Sequence, residues 1–379
     1  MPPQTGSRSL GASTKTTAYN KLLRDLAKSP RRWLITGAAG FLGSHVLEAL
    51  LRADQSVVGL DNFSTGKESK LGEVKSLLPP DQWEQFTFIE GDTGCRETVQ
   101  AACGGVDYVL HLAALGSVLD SFHDPLNTNS NNVGGCLNVL VAARDQKVRR
   151  VVYASSNSVY GDTRELPNAE DGARRPLSPC AVSMAVSELY AQVFSRAYGL
   201  ETVGLRYFNV FGPRQDGNGH DAPVIPRWIH AMIRNEPACI NGDGATSRDF
   251  CYVANAVQAT LLAAATPNKS AVGQVFNVAL NHQTSLNQLF EIIRQKLLPD
   301  YPHLKYPRLV YQDFRRSDIR HSRADISKAQ KILGYCPTHT LEQGLNETLS
   351  WYKTDRGFPS RLSQPENFQP HNAVLPVYE

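Results

Sequence analysis

The sequence predicts an α/β fold: a doubly wound parallel sheet of the Rossmann type with a smaller C-terminal substrate-binding lobe. Two observations support this prediction. In the first half of the chain, short apolar runs alternate with amphipathic helical stretches. Strands separated by helices favour right-handed crossovers and a parallel sheet covered on both faces. The second observation is a glycine-rich turn at residues 36–44, which joins an apolar run directly to a helical pattern.

Apolar runs, helical periodicity and turn residues place the individual elements. The predicted strands lie at 32–35, 56–60, 86–90, 107–112, 149–155 and 201–206. The predicted helices lie near 18–29, 41–53, 95–102, 130–146, 179–198, 224–235, 252–266 and 284–297. The expected parts are an N-terminal extension with one helix (1–30), a dinucleotide-binding domain (31–211), a substrate-binding lobe (212–354) and a polar tail (355–379). We expect the helix at 252–266 to pack back on the sheet.

Composition argues against several classes of protein. The chain has 379 residues, with 39 basic and 36 acidic side chains spread along it and a net charge of +3, so no basic block favours nucleic acid or a membrane surface. Its seven cysteines are scattered without C-x-x-C spacing, which favours reduced thiols over a disulfide framework or a metal site. No apolar run is long enough to span a bilayer or act as a secretion signal. These features predict a cytoplasmic protein.

A dinucleotide-binding site is predicted at the glycine-rich turn. Gly37, Gly40 and Gly43 form G-x-x-G-x-x-G between the run 33–35 and a helical pattern. In such turns the glycines allow a sharp bend, close backbone approach to a pyrophosphate and tight packing of the helix, whose N-terminus attracts the anion. Asp61 lies 24 residues after Gly37 and follows a second apolar run. A carboxylate there is suited to the hydroxyls of the adenosine ribose.

Further motifs extend this pattern along the chain. They lie at residues 61–66, 91–92, 111–114, 155–162, 205–213, 241–244, 247–250 and 314–321. Together they resemble the extended short-chain dehydrogenase/reductase superfamily and, within it, the UDP-N-acetylglucosamine 4-epimerases of bacterial surface-polysaccharide synthesis. The resemblance covers roughly residues 18–352. It implies a tightly held NAD and a UDP-N-acetylhexosamine whose C4 hydroxyl is oxidised and then reduced from the other face.

The resemblance also implies a set of cofactor-binding residues. They are Gly37, Gly40, Phe41, Leu42, Gly43, Asp61, Asn62, Thr65, Gly66, Asp92, Ala113 and Asn132. Asp61 and Asn62 would hold the adenosine ribose, and Asp92 the adenine amine. Asn132 would contact the inner half of the cofactor.

A second set would bind the sugar nucleotide. The implied residues are Ser117, Asn209, Arg248, Arg315, Asp318 and Ser322. Asn209, Arg248 and Arg315 would contact the diphosphate, which suits the charge-assisted, forked contacts of arginine. Asp318 would contact the uridine ribose. Ser322 falls where glucose-restricted relatives have a bulky aromatic residue, so its small side chain favours an N-acetylated sugar.

The catalytic pattern of the resembled family is broken in this chain. That family uses a serine and a Tyr-x-x-x-Lys pair, in which the ammonium lowers the pKa of the phenol that accepts the C4 hydroxyl proton. Ser156 is present, but Cys180 and Met184 stand at the tyrosine and lysine positions. We predict a helix capped by Ser178 and Pro179, with a buried stripe on its other face. The stripe consists of Val182, Val186, Leu189 and Val193.

Other positions also depart from the resembled pattern. They are Leu119-Asp120 for Pro-Arg, Asn157 for serine, and Gly94-Cys95 where an arginine is usual. Cys180 could replace the base, because a thiol is more acidic than a phenol and a helix N-terminus lowers its pKa. A thiol is shorter than a phenol, however, and would need a water to reach the substrate. Alternatively, Cys180 and Met184 are apolar filler. Tyr153, Tyr160 and Tyr190 are the nearby phenols; Tyr160 is expected to be packed.

Three interpretations of function follow. The first is a UDP-N-acetylglucosamine/UDP-N-acetylgalactosamine 4-epimerase or related oxidoreductase with displaced acid/base groups. The second is a catalytically impaired NAD- and UDP-sugar-binding pseudoenzyme that pairs with an active relative. The third is an inactive laboratory variant, which the additional departures argue against. The resemblance further implies a homodimer through helices 130–146 and 179–198.

Overall fold

The computed structural model describes residues 17–163, 165–218, 222–314 and 318–354. The strands are β1 (Arg32–Thr36), β2 (Ser56–Asp61), β3 (Phe86–Glu90), β4 (Tyr108–His111), β5 (Arg150–Ser156), β6 (Glu201–Tyr207), β7 (Val210–Phe211), β8 (Ala238–Asn241), β9 (Ser247–Arg248), β10 (Cys251–Tyr252), β11 (Gln274–Val278), β12 (Thr284–Ser285) and β13 (Leu309–Gln312). The α-helices are α1 (Ala18–Lys28), α2 (Phe41–Leu51), α3 (Glu68–Ser76), α4 (Pro80–Trp83), α5 (Arg96–Ala102), α6 (Val118–His123), α7 (Pro125–Asn129), α8 (Gly135–Asp145), α9 (Pro179–Tyr198), α10 (Val224–Ile233), α11 (Val253–Ala265), α12 (Leu286–Leu297), α13 (Ser327–Leu333) and α14 (Leu341–Tyr352).

A seven-stranded parallel sheet forms the centre of the fold, in the order β11-β6-β5-β4-β1-β2-β3. The chain leaves β1 toward β2 and β3 on one side and later returns to β4 on the other. The strand order therefore reverses between β1 and β4. In doubly wound sheets ligands bind at this switch point, outside the carboxyl ends of the strands. Thr36, the last residue of β1, pairs with Leu60 and His111, so Gly37 begins its turn at this edge.

The predicted α/β fold with a doubly wound parallel sheet is confirmed, with one strand that the sequence did not reveal. All six predicted strands are present. The seventh, β11, comes from the segment assigned to the C-terminal lobe and pairs with β6 from Gln274↔Val203 to Val278↔Tyr207. The boundary after residue 211 therefore does not separate the sheet from the rest of the chain. Residues 1–16 and 355–379, including the predicted tail, lie outside the described residues.

Outside the main sheet, the described C-terminal residues form short strand pairs and the five helices α10 to α14. Parallel β8 and β13 and antiparallel β9 and β12 pair here. Two helices begin with reciprocal capping boxes, Ser285 with Gln288 at α12 and Thr340 with Gln343 at α14. Such caps satisfy backbone N–H groups that the first helical turn leaves without partners. Helices α13 and α14 were absent from the sequence prediction.

The predicted buried stripe of α9 is wrong. Val182, Leu189 and Val193 are 46%, 52% and 54% exposed, whereas Cys180 and Met184 are buried. Tertiary contacts explain the difference, because the inward face of α9 is anchored by polar groups rather than by its most apolar residues. Within the described part of the chain, no helix is long and apolar enough to cross a bilayer.

The inward anchor of α9 is a fully buried ion pair. The Glu188 carboxylate accepts from Arg206 Nε and Nη2, both at 2.8 Å, and from Ser155 Oγ at 2.6 Å. Both charged side chains are inaccessible to solvent. The pair joins α9 to β5 and β6, and so fixes which face of the helix meets the sheet.

Candidate functional site

The glycine-rich turn has the geometry that a dinucleotide requires. Gly37 has φ +75°, and a Cβ there would lie 2.9 Å from the backbone nitrogen of Ala113. A Cβ at position 43 would lie 1.9 Å from the carbonyl oxygen of Gly37. The N-cap of α2 is Gly40, which has no side-chain cap. The backbone N–H groups of the first turn therefore point to an anion site.

Most of the predicted cofactor residues line one cleft at the switch point of the sheet. Gly37, Gly40, Phe41, Leu42, Gly43, Asp61, Asn62, Thr65 and Ala113 all lie along it. Sequence reasoning missed Thr93, Leu115 and Asn131, which line the same cleft. These residues belong to segments that follow β3 and β4, so their position beside β1 could be inferred only from the strand order.

Asp61 holds the backbone around this cleft. Its Oδ2 accepts from the N–H of Ala39 and its Oδ1 from the N–H of Phe63, both at 2.9 Å. Gly66 packs directly on this carboxylate, where a Cβ would be 2.7 Å from Oδ1. Asp61 is only 8% exposed. The carboxylate is thus fixed in orientation at the end of β2, where a ribose would meet it.

Asp92 and Asn62 lie together beside the cleft. Asn62 Nδ2 donates to Asp92 Oδ2 at 2.6 Å, and Asp92 Oδ1 accepts from the N–H of Gly94 at 2.6 Å. The two predicted adenosine contacts are therefore held in one hydrogen-bonded unit, which joins the ends of β2 and β3.

Asn132 connects the cleft to α9. Its Oδ1 accepts from the N–H of Leu115 at 2.7 Å, and its Nδ2 donates to the carbonyl of Leu115 at 3.1 Å and to Ser183 Oγ at 2.9 Å. Asn132 lies in a turn of π-helix, Ser130–Gly134, which leads into α8. Such π-turns are often found at functional sites. Its side chain is fully used in holding the loop after β4 against α9.

Cys180 and Met184 lie one turn apart at the start of α9, on its buried face. Ser178 caps the helix by accepting from the N–H of Ala181 at 3.2 Å. Cys180 Sγ contacts the carbonyl oxygen of Leu115 at 3.6 Å. The two side chains are 4% and 7% exposed. A thiol and a thioether therefore occupy the end of α9 that faces the cofactor cleft.

The remaining catalytic candidate, Ser156, ends β5. Its Oγ accepts from the N–H of Ser158 at 3.1 Å and lies 3.5 Å from Asn157 Oδ1. Asn157 Nδ2 in turn donates to Ser322 Oγ at 3.1 Å. Contacts through Asn157 thus connect Ser156, the catalytic candidate, to Ser322, the candidate specificity residue. Ser117, by contrast, caps α6 by accepting from the N–H of Asp120 at 2.9 Å.

Of the three nearby phenols, two are buried and one is exposed. Tyr160 is buried, as expected, and its hydroxyl donates to Asn277 Oδ1 at 2.7 Å. Burial raises the pKa of Tyr160 to about 12. Burial also raises the pKa of Tyr153 well above that of an ordinary tyrosine. Tyr190 lies on the exposed side of α9. None of the three is therefore placed as a base for the site.

A second cleft brings together three of the predicted substrate residues: Asn209, Arg248 and Asp318. Burial lowers the pKa of Arg248, while the nearby carboxylates of Asp318 and Asp162 act in the opposite direction. Asn209 has φ +31°, and its buried Oδ1 has no hydrogen-bond partner within the described residues. A desolvated guanidinium and an unsatisfied amide oxygen in one cleft favour a polar, anionic ligand. Arg315 lies outside the described residues.

Asp249, which sequence reasoning did not select, joins two segments close to Ser322. Its carboxylate accepts from the N–H groups of Leu280, His282 and Ala324 at 3.0, 3.2 and 3.2 Å. Burial raises the pKa of Asp249 to about 6 despite these hydrogen bonds. Asp249 therefore ties the loop after β11 to the segment that carries Ser322.

Comparisons with known proteins agree with this architecture. The model of the NAD dependent epimerase/dehydratase family matches residues 33–279. The chain is 33% identical over 330 residues to the UDP-glucose 4-epimerase of Mycolicibacterium smegmatis, covering 85% of this chain and 98% of the relative. It is 32% identical over 324 residues to a putative UDP-glucose 4-epimerase of Methanocaldococcus jannaschii, covering 85% and 98%.

Solved structures give the same result. The UDP-N-acetylglucosamine 4-epimerase of Methanobrevibacter ruminantium, solved with UDP-N-acetylmuramic acid, is 38% identical with a TM-score of 0.77, over 85% of this chain and 98% of that one. The UDP-glucose 4-epimerase of Thermus thermophilus, solved with NAD, is 30% identical with a TM-score of 0.73, over 85% and 98%. The glycine turn, the fixed Asp61 and the cleft at the switch point fit that cofactor. This chain therefore belongs to the NAD-dependent epimerase/dehydratase family, with NAD as its cofactor.

Proposed function

We propose that this protein binds NAD and a UDP-N-acetylhexosamine in the manner of a UDP-N-acetylglucosamine/UDP-N-acetylgalactosamine 4-epimerase, with turnover far below that of an intact relative. The observation that carries the binding part is the second cleft, where Asn209, Arg248 and Asp318 converge. The observation that carries the catalytic part is the pair Cys180 and Met184 at the start of α9.

The nucleotide half of the substrate fits the second cleft by charge. Arg248 offers a guanidinium to a diphosphate, and the carboxylate of Asp318 can accept from ribose hydroxyls. Asn209 lies beside them in the same cleft. None of these three residues belongs to α9, so binding of the nucleotide half does not depend on Cys180 or Met184.

The sugar would reach the Ser156 end of β5. The side chain of Ser322 is small and 2% exposed, and its hydroxyl is already bonded to Asn157. A bulky aromatic residue at position 322 would fill this region. The small side chain of Ser322, hydrogen-bonded to Asn157, supports an N-acetylated sugar as the substrate.

Proton transfer is the step that this chain supports least. NAD, when bound, supplies the hydride acceptor for oxidation at C4. Removal of the C4 hydroxyl proton needs a base within hydrogen-bond reach. The side chain of Cys180 is shorter than that of a tyrosine and contacts the carbonyl oxygen of Leu115. The thioether of Met184 carries no charge that could hold a ribose or stabilise a phenolate. Ser156 can orient the hydroxyl but is a weak base by itself.

Restoring the two groups tests this proposal. General acid–base catalysis contributes about 10²–10⁴-fold, so epimerisation of UDP-GlcNAc by the purified protein should be lower than that of an intact relative by about that factor. Cys180→Tyr combined with Met184→Lys should recover activity, and either change alone should do little, because phenol and ammonium work as a unit. The matched control, Cys180→Phe with Met184→Lys, adds the ring without the hydroxyl and should stay inactive.

Two results would contradict the proposal. One is normal turnover by the unchanged protein that is lost in Cys180→Ala, because the thiol would then act as the base. The other is a Tyr/Lys variant that binds NAD and UDP-GlcNAc yet remains inactive, since the departures at Asp120 or Asn157 would then have spoiled the pocket as well.

Nucleotide binding has a separate test. Removing the guanidinium in Arg248→Ala should weaken UDP binding roughly tenfold to a hundredfold, because a hydrogen bond to a charged group is worth about 1.5–3 kcal/mol. Arg308→Ala is the control, since that exposed arginine donates to the carbonyl of Asn235 outside the cleft. Equal UDP affinity in the wild type and Arg248→Ala, measured by calorimetry, would exclude this cleft as the nucleotide site.

A second role, as the NAD- and UDP-sugar-binding partner of an active relative, is supported by the outer face of α9. Val182, Leu189 and Val193 leave an apolar stripe exposed on a helix through which the resemblance implies pairing. Contiguous exposed apolar surface is typical of a protein interface. Native mass spectrometry of this protein mixed with an intact 4-epimerase tests the role: mixed dimers with altered turnover support it, and separate homodimers exclude it.

A further inference from the structure

A separate pocket lies between the dinucleotide-binding sheet and the C-terminal helix. Its volume is about 420 Å³, and it is lined from α3, from the loop after β7, and from α10 and α14. Three cations (Lys67, Lys70 and Arg214) and two carboxylates (Glu73 and Asp216) line it. It shares no lining residue with the cofactor cleft.

Both carboxylates already have partners. Asp216 is paired with Lys67, and Glu73 Oε1 accepts from Trp351 Nε1 at 2.7 Å. Of the two other cations, Arg214 forms an ion pair with Glu48, which does not line the pocket, whereas Lys70 has no ion pair within the described residues.

The buried guanidinium of Arg214 indicates that an anion could bind in this pocket. It is 3% exposed, and its Nη2 donates to Glu48 Oε2 at 2.7 Å and to His45 Nδ1 at 2.6 Å. Its Nη1 is buried and has no hydrogen-bond partner within the described residues. A buried charged donor without an acceptor is costly, so such groups normally bind water, an ion or a ligand.

Lys70 supplies the second charge. It is 8% exposed, and among the described residues its ammonium has no hydrogen bond or ion pair. Burial lowers the pKa of Lys70. The carboxylates of Asp216 and Asp61 act in the opposite direction, and the positive charges of Lys67 and Arg214 add to the effect of burial. A bound anion would oppose burial and the neighbouring positive charges.

Gln215 adds an acceptor to the same wall. Its Oε1 is buried without a donor in the described part of the chain, while its Nε2 donates to the carbonyl of Val210 at 3.0 Å. An anion that carries a hydroxyl could satisfy this oxygen as well as the two cations. Hydrogen phosphate and the monoprotonated phosphate group of an organic ester are such anions.

We propose that this pocket is a phosphate-binding site, in which Lys70 and Arg214 bind the phosphate oxygens. The site shares no lining residue with the cofactor cleft, and it shares only Gln215 with the second cleft among the described residues. Because its walls come from α3 on one side and from α10 and α14 on the other, a bound phosphate would connect the dinucleotide-binding part to the C-terminal part of the molecule.

Calorimetry on protein saturated with NAD and UDP tests the site, because both phosphate-binding clefts are then occupied. Inorganic phosphate and ribose 5-phosphate are titrated separately at constant ionic strength. Lys70→Gln should weaken binding at least about tenfold, as expected for the loss of a charge-assisted contact. Lys70→Arg should retain it. Lys75→Gln removes the same charge from an exposed position on α3 and should bind like the wild type.

The two ligands distinguish the source of the phosphate. Binding of inorganic phosphate indicates the free ion, and binding of ribose 5-phosphate alone indicates an organic ester. An absence of heat with both ligands, or equal affinity in the wild type and Lys70→Gln, would overturn the proposal. Normal NAD binding by each variant confirms that it is folded.

Discussion

The close approach of Gly43 to Gly37 makes a sharp prediction about the cofactor turn. Gly43 lies in α2, and a Cβ there would sit 1.9 Å from the carbonyl oxygen of Gly37. Real Cβ atoms essentially never come closer than 3.0 Å to such an atom. In Gly43→Ala the helix and the turn must therefore separate, and no flexible side chain can absorb the movement because the contacted atom belongs to the backbone.

The expected magnitude follows from two opposing effects. Replacing a helical glycine by alanine gains about 0.5–1 kcal/mol from chain entropy. Overpacking at a rigid contact costs about 1–3 kcal/mol. At position 43 the overlap is large, so we expect a net loss of about 1–2 kcal/mol in the free energy of unfolding. NAD binding should weaken as well, because displacement of the turn moves the N–H groups that face the pyrophosphate.

Gly72 provides a matched control. It also lies in a helix, α3, and a Cβ there would meet nothing within 4 Å. Gly72→Ala should therefore stabilise the protein by about 0.5–1 kcal/mol and leave NAD affinity unchanged. Urea denaturation gives the stabilities and calorimetry the affinities. If Gly43→Ala proves as stable as Gly72→Ala and binds NAD normally, the close packing of the turn is not what requires glycine.

Three further predictions concern α9 and the sheet. Native mass spectrometry of the wild type should give twice the mass of one chain. Leu189→Glu places a charge in the exposed apolar stripe and should give the mass of a single chain. A wild-type monomer would exclude the dimer. Glu188→Gln should lower the free energy of unfolding by about 3–5 kcal/mol because it leaves Arg206 buried without its charged partner. Glu291→Gln, in the partly exposed pair with Arg294, should change it little; equal effects would refute this reasoning. Burial lowers the pKa of His111 from 6.5 to about 4, so the unfolded chain takes up this proton first as the pH falls. Relative to His111→Asn, wild-type stability should therefore decrease by roughly 3 kcal/mol as the pH falls across that interval; parallel pH profiles would contradict it.

The sequence alone determined the cofactor and the core of the sheet. Gly37 and Gly43 are required by local geometry, a positive φ and a backbone contact, and these constraints leave a direct pattern in the sequence. The β strands that surround the switch point are buried apolar runs, which are equally visible. Asp61 could be placed because it follows one of these runs at a fixed distance from the turn.

Only the tertiary structure decided which face of α9 is buried. Both faces carry apolar residues, so periodicity favoured the stripe that contains Leu189. The buried pair of Glu188 with Arg206 turns that stripe outward. Likewise β11 is a short apolar run like many others, and only its pairing with β6 makes it part of the sheet.

The contacts between distant residues in the candidate sites also could not be predicted from the sequence. Asn157 and Ser322 are separated by 165 positions along the chain, yet they share a hydrogen bond. Arg214 and Lys70 meet across a pocket because a loop and a helix from different parts of the chain pack together. Local patterns fix turns and strands, because their requirements lie within a few residues. Pockets depend on which distant segments the fold brings together, and that is decided by packing of the whole chain.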